Sequence, residues 1–383
     1  MRIAIAGCGI TGAAAGSFLS SAGHEVTVFE QAEECRNIGA GILIQPSGQH
    51  VLKQLDLYPI VKQEAAILDG LEARLANGRQ LIRLRYGSGP DSCGWGVHRG
   101  RLFGALLKRC RDSGAVIQTN SRIRSFEESS AGIRFIHDDG SQSEEFDFAI
   151  AADGSRSILR KVAGIPTHSI EYPYAALWTT SPCTSITDRL FQVIDSTKRL
   201  TGILPIGNNE ASFFWGLRKT DHSACVNGSF DEWRKNVIEL CPAAENFLEP
   251  FQSFDSFIFS EYRHAVMSRW HTEKLIFLGD AAHPTSPHLG QGANLGLEDA
   301  AVFSQALVAT RNFADACRNY TWQRRAKLRY YQTVTRLLTP FFQSDIPLLA
   351  WGRNLALPWM PSLPLVGSMM RKTLRGEKQG WLN

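Results

Sequence analysis

The chain has 383 residues, 44% hydrophobic and 20% charged, with 41 basic and 37 acidic side chains and a formal net charge of +4. That length exceeds one simple core and suits two closely joined domains, while the mild, dispersed positive charge suits an anionic cofactor and excludes a nucleic-acid binder working through a basic patch. No uncharged apolar run reaches the roughly eighteen residues of a membrane span, and the eight cysteines show neither CxxC nor zinc spacing, the usage of reduced thiols in a cytoplasmic protein without a metal centre.

Arg2 to Ala6 is a short apolar run of the kind a buried parallel strand needs. Gly7-Cys8-Gly9-Ile10-Thr11-Gly12 follows, then an Ala- and Leu-rich helix to Ala22 closed by Gly23. Glu25 to Phe29 is the second strand, and Glu30 ends it. This order of strand, glycine turn, helix, strand and acid predicts a dinucleotide site. Gly7 permits the tight turn, Gly9 the approach of a pyrophosphate, and Gly12 close packing of helix on strand. The helix start offers free N–H groups to phosphate, and Glu30 sits where an acid accepts from an adenosine ribose. Arg36 is either a phosphate or adenine partner or a solvated loop arginine; Gly39 and Gly41 suggest backbone passing close to a ligand.

Pro46-Ser47-Gly48 opens a helix with Val51, Leu52 and Leu55 on one face. Asn77-Gly78, flanked by alternating residues, predicts a hairpin with a type I′ turn. Arg99, a second phosphate candidate, precedes a helix striped by Leu102, Phe103, Leu106, Leu107 and Cys110. Three strands follow, and the last, 146–151, reads as central in its sheet. It empties into Asp153-Gly154, either a ligand-binding strand end or a simple turn. From 165 to 270 the chain is aromatic and strand-like. Alternation sets Phe213, Trp215 and Leu217 on one strand face against Ser212, Phe214 and Arg218 on the other, and such a sheet walls an apolar pocket or is ordinary core. A buried strand, 274–278, leads to Gly279-Asp280-Ala281-Ala282-His283-Pro284, a loop through Gln291, and a long helix opened by Gly292-Ala293-Asn294. Arg324, Arg325, Lys327 and Arg329 on the next helix read as a solvated face. The Pro- and Trp-rich stretch 341–383 covers the core, forms a dimer contact or touches a membrane; its prolines favour cover.

Three separated stretches together resemble the class A, single-component flavoprotein monooxygenases of the para-hydroxybenzoate and salicylate hydroxylase type. They are Gly7-x-Gly9-x-x-Gly12 with Glu30, then Asp153-Gly154, then Gly279-Asp280 through Pro287 and Gly290-Gln291-Gly292-Ala293-Asn294 to Glu298-Asp299. The resemblance implies an α/β fold: a Rossmann-like FAD-binding domain of the para-hydroxybenzoate hydroxylase type (1–72, 98–164 and 271–340), an inserted β-sheet substrate domain (73–97 and 165–270) and a C-terminal helical cover. It implies non-covalent FAD and a transient NADH or NADPH. Glu30 would hold the ribose, Arg36 and Arg99 the adenosine–pyrophosphate arm, and Asp280 the ribityl–pyrophosphate region. Asp153 would serve both cofactors, and Pro287 would lie beside the isoalloxazine. The start of the helix at 292 would face the N1–C2=O edge of the flavin, with Gly290 and Gly292 clearing space. The implied reaction hydroxylates or epoxidises an aromatic or heteroaromatic substrate with O₂ through a C4a-hydroperoxyflavin. A dehydrogenase or reductase of the same fold is the alternative. Substrate-pocket candidates are Trp178, Phe213, Trp215, Pro287 and His288; no residue is singled out as a general base, and His283 reads as structural. The expected partners are a small aromatic molecule and O₂, and the expected assembly is a monomer or homodimer.

Overall fold

The computed structural model describes residues 1–35, 39–87, 89, 92–183 and 185–381. Its first sheet is parallel and five-stranded, in the order Leu275–Phe277, Phe148–Ala151, Arg2–Ala6, Glu25–Phe29, Val116–Gln118. Phe148–Ala151 lies inside it, every residue buried, as its unbroken apolar run requires. Helices Ile10–Ser21, Arg99–Asp112 and Gly292–Thr310 bury their apolar residues in the same core. The first and third cross closely because Thr11 fills a notch made by two glycines: a Cβ on Gly279 or Gly296 would come within 2.5 Å of the Thr11 hydroxyl.

The second sheet has seven strands, ordered Ile258–Met267, Thr167–Pro182, Glu210–Arg218, Arg199–Gly207, Arg189–Asp195, Gly70–Leu75, Gln80–Arg85. Only the pairing of Arg189–Asp195 with Gly70–Leu75 is parallel. A small sheet of Gly41–Ile44, Gly94–His98 and Ala66–Leu68 joins the two layers. Asn77-Gly78 does turn the hairpin Gly70–Leu75 to Gln80–Arg85, but not as a type I′ turn. Gly78 alone has positive φ (+81°), and the register slips between Ala73 and Arg74. This is the geometry of a three-residue loop that ends in a left-handed glycine.

The two faces of the second sheet have different neighbours. Leu177, Phe213 and Trp215 pack beneath helix Phe230–Leu240, with Trp233 edge-on to both aromatic rings. The opposite face carries Trp178 and Phe214, in register and with ring centroids 5.0 Å apart. This face abuts the small sheet: a Cβ on Gly41 would lie 2.7 Å from the Ser212 Cβ. It is also covered by the C-terminal segment through Phe342, Leu357, Met370 and Leu374.

Candidate FAD site and ring pocket

Four strand ends converge at the carboxyl edge of the parallel sheet, those of Arg2–Ala6, Glu25–Phe29, Phe148–Ala151 and Leu275–Phe277. At the first, Gly7 has φ +99°, and a Cβ there would come 2.5 Å from the Ala152 carbonyl oxygen. A Cβ on Gly12 would fall 1.9 Å from the Gly7 carbonyl oxygen, so helix and turn touch through backbone alone. Gly9 meets nothing within 4 Å, and no side chain caps the helix it begins. The N–H groups of Ile10, Thr11 and Gly12 therefore lack intrahelical acceptors and open onto free space. Glu30 is oriented at the second strand end: Cys8 N–H donates to Oε2 (2.9 Å) and Ala32 N–H to Oε1 (3.0 Å). Each oxygen keeps a lone pair for an incoming hydroxyl.

At the central strand end, Asp153 Oδ2 accepts from Ile158 and Leu159 N–H (2.9 and 3.2 Å), capping the helix Ile158–Val162. Its Oδ1 is buried without a partner, and burial raises its pKa. Arg160 ties this loop to the one that begins at Gly279, donating to the carbonyls of Asp280 (3.2 Å), Ala281 (2.6 Å) and Ser155 (2.7 Å).

The fourth strand end, after Phe277, opens the loop that begins at Gly279 (φ +59°). Asp299 holds it there, accepting from Gly279 N–H (2.9 Å) and pairing with His283 through the same oxygen. Arg324 reaches Asp299 Oδ1 (2.8 Å), Glu298 and the Leu295 carbonyl (3.1 Å). Lys327 joins Glu298 (2.7 Å) to the Gly376 carbonyl (2.6 Å). Arg324 and Lys327 are thus buried ion-pair partners, whereas Arg325 and Arg329 are exposed. The basic run is solvated on one side only. His283, paired with Asp299, is buried behind this loop.

Asp280 opens to the cleft, yet it is ringed by protein that desolvates it and raises its pKa, against the pull of His283, Arg99 and Arg160. A Cβ on Gly292 would lie 3.8 Å from Asp280 Oδ1, so the carboxylate stands over the start of the helix Gly292–Thr310. That helix also lacks a side-chain cap, which leaves the N–H groups of Gly292, Ala293 and Asn294 free of helical acceptors. Gly290, at φ +60°, ends the turn Pro287–Leu289 before it.

Several sequence candidates take supporting positions. The Asn294 amide accepts from Gln45 N–H (2.8 Å) and donates to the carbonyls of Leu43 and Gly290 (both 3.0 Å), so it braces the loop. The Gln291 side chain donates to the carbonyls of Thr373 and Leu374 (3.1 and 2.8 Å). The room beside Gly41 is filled by Ile206 and Ser212. Arg99 packs its chain on Gly39. Arg36 lies outside the described residues. Phe213 and Trp215 are turned away from this cleft: strand alternation places them in the packing layer under Trp233, so they do not wall the pocket.

The candidate ring pocket is the junction of the opposite sheet face with the Pro287 loop, where Phe342 packs in the same cluster as Trp178 and lies 6.1 Å, centroid to centroid, from the His288 ring. Trp178 stands there beside Tyr262, whose hydroxyl pKa is raised by burial. His288 Nδ1 lies 2.9 Å from Ser286 Oγ, and Ser286 Oγ lies 2.7 Å from Thr339 Oγ1. The Tyr172 hydroxyl points toward both Ser286 and Thr339 without closing a bond. His288 Nε2 is enclosed without a partner, and burial pushes its pKa down to about 4, so the imidazole is neutral at pH 7. Tyr172 and Tyr262 were missed from sequence; for Tyr262 the alternation 258, 260, 262 in the strand paired with Trp178 was the signal available.

These features fit FAD: two uncapped helix starts, a carboxylate held by backbone N–H groups at the end of the second strand, and glycines whose missing side chains leave open backbone. The model of the FAD binding domain family matches residues 1–336. The chain belongs to that family. A 6-hydroxynicotinate 3-monooxygenase of Bordetella bronchiseptica is 26% identical over 361 residues, covering 87% of this chain and 90% of its own. An FAD-dependent urate hydroxylase of Klebsiella oxytoca is 28% identical over 356 residues, 86% and 87% of the two chains. The fold matches Klebsiella pneumoniae HpxO, solved with FAD and uric acid, with TM-score 0.83 and 23% identity over 100% of this chain and 98% of that one. Among the described residues no helix is long and apolar enough to cross a membrane.

Proposed function

We propose that this chain is a cytoplasmic, NAD(P)H- and FAD-dependent monooxygenase that hydroxylates or epoxidises an electron-rich aromatic or heteroaromatic small molecule with O₂. One observation carries the reading. The uncapped start of the helix Gly292–Thr310 has the Asp280 carboxylate over it, and the loop before it, where a Cβ on Gly290 would come 3.0 Å from Leu43, meets the apolar cluster that holds Trp178 and Phe214.

FAD, when bound, supplies hydride acceptance and oxygen activation. The chain does the rest. Glu30 accepts from the adenosine ribose, and the N–H groups at Ile10–Gly12 hold the pyrophosphate. Asp280 accepts from hydroxyls of the ribityl chain, and Arg99 and Arg160 keep that region positive. The N–H groups at Gly292–Asn294, free of helical acceptors, would stabilise negative charge on the bound cofactor. Pro287, Trp178 and Tyr262 confine a flat substrate and exclude water. The neutral His288 imidazole, braced by Ser286 and Thr339, presents Nε2 to a polar substituent of that substrate.

The test begins with anaerobic addition of NADH or NADPH, which bleaches the yellow protein. Air with isotope-labelled O₂ and a panel of hydroxylated heteroaromatics then gives a labelled product. Label arriving only from water refutes the proposal, and turnover independent of oxygen identifies a dehydrogenase instead.

A further inference from the structure

The C-terminal segment covers the Trp178–Phe214 face of the sheet with one side of two short helices and leaves the other side bare. In Pro347–Ala356, Ala350 and Arg353 are buried, while Leu348 (73% exposed), Trp351 (69%) and Leu355 (59%) form a stripe at helical spacing. Trp359 (70%) continues it. In Pro364–Leu374, Gly367, Thr373 and Leu374 are buried, while Leu365 (87%) and Met369 face out. Both helices pack on the same sheet face, through Leu357, Met370 and Leu374, so both stripes look away from it. An apolar surface of this size, bearing two tryptophans, calls for an occupant.

Charge identifies it. Arg79 donates to the Asn354 carbonyl (3.2 Å) at the edge of the first helix. Arg83 lies in the strand Gln80–Arg85, which adjoins the second helix and the turn before it. Lys198 sits on the hairpin whose Ser196 carbonyl accepts from Arg353 (2.9 Å). Arg371 and Lys372 end the second helix. Among the described residues none of these five cations has an ion-pair partner, whereas the nearby carboxylates Asp195, Asp345 and Glu377 are each taken by an arginine. A twofold dimer through this patch would bring the cations of both copies to one interface whose nearby carboxylates Asp195, Asp345 and Glu377 are already paired. An anionic bilayer satisfies both features: it buries the apolar stripe at the level of its headgroups and neutralises the rim.

We propose that the two C-terminal helices dock the folded enzyme peripherally on an anionic lipid surface, with Trp351, Trp359 and Leu365 inserted and the five cations at the headgroups. The FAD-loaded full chain should co-sediment with phosphatidylcholine vesicles containing about one-third phosphatidylglycerol at least about tenfold better than with pure phosphatidylcholine, and 0.5 M salt should remove that preference. A Trp351→Ser/Trp359→Ser/Leu365→Ser variant should lose binding about tenfold while keeping its flavin spectrum and its elution volume. An Arg79→Gln/Arg83→Gln/Lys372→Gln variant should keep weak binding and lose the anionic preference. Absence of binding to anionic vesicles overturns the proposal, as does binding unchanged in the serine variant. A concentration-dependent dimer that the serine variant dissociates also overturns it, since a second copy is then the occupant.

Discussion

Replacing Arg324 with methionine tests whether the Gly279–Asp280 turn is held by buried charge. The methionine retains most of the chain volume but removes bonds to Asp299, Glu298 and the Leu295 carbonyl. Asp299 keeps His283 and Gly279 N–H, and Glu298 keeps Lys327, so two carboxylates stay buried on fewer partners. Breaking a buried pair on one side costs about 3–5 kcal/mol. Unfolding entropy of about 2.1 cal/mol/K per residue over 383 residues amounts to about 0.8 kcal/mol per degree. The melting temperature should therefore fall by about 4–6 °C, and FAD should leave more readily because the turn under Asp280 loosens. Arg325→Met, one residue along and exposed, should shift it by less than about 1 °C. Differential scanning fluorimetry on both variants, with and without added FAD, decides the matter. Equal shifts in the two variants would refute the reasoning.

Asp280→Ala should abolish FAD retention on gel filtration while leaving the apoprotein melting temperature within about 1 °C. Glu298→Ala, which strands Arg324 and Lys327, should instead lower that temperature by several degrees; loss of FAD in both with no thermal difference would count against the two assignments. Trp178→Ala should raise KM for the aromatic substrate with little effect on stability. Phe213→Ala should cost about 3–5 kcal/mol in a denaturant melt and leave KM alone, and the reverse pattern would restore Phe213 to the pocket. Acid should destabilise the fold through His264, which is 2% exposed and pushed by burial down to about 4. A histidine with a lowered folded pKa binds its proton in the unfolded chain first, so stability is lost as pH falls from about 6.5 toward 4. That loss amounts to about 2 kcal/mol by pH 5. His264→Gln should remove about half of the slope over that range, the rest staying with His288, which burial also pushes down to about 4, and an unchanged profile would place the acid sensitivity elsewhere.

The parts of the molecule that were legible in its sequence are those where backbone sterics and local order decide the outcome. Gly7, Gly12 and Gly290 announced themselves because only glycine fits a 1.9 Å approach or a left-handed turn. The central strand 148–151 was legible because nothing polar interrupts it. What stayed hidden depends on which distant element covers a residue. Phe213 and Phe214 have the same composition and neighbours, and only the arrival of Trp233 on one face and Phe342 on the other separates core from pocket. The hairpin turn at Asn77-Gly78 was right in place and wrong in type, because a bulge in the preceding strand alters the loop length that selects the turn.

The charge run on the last long helix shows the same limit in electrostatic form. A helix bearing Arg324, Arg325, Lys327 and Arg329 carries no local mark telling a buried cation from a solvated one. The distinction is made by Glu298 and Asp299, more than twenty residues earlier, and by the Gly376 carbonyl, about fifty residues later. Those two carboxylates follow the glycine-rich stretch 290–294 proposed to hold the cofactor. The buried pair thus links the cofactor loop to the C-terminal cover: Lys327 binds Glu298 on one side and Gly376 on the other, and Gln291 reaches the carbonyls of Thr373 and Leu374. Desolvating two carboxylates and two cations is costly, and the arrangement persists only because each has more than one partner. The price is met where it secures most, at the junction that sets Asp280 and the uncapped helix start against the ring pocket. Loosening the cover should therefore be felt first at the flavin, before the parallel sheet itself gives way.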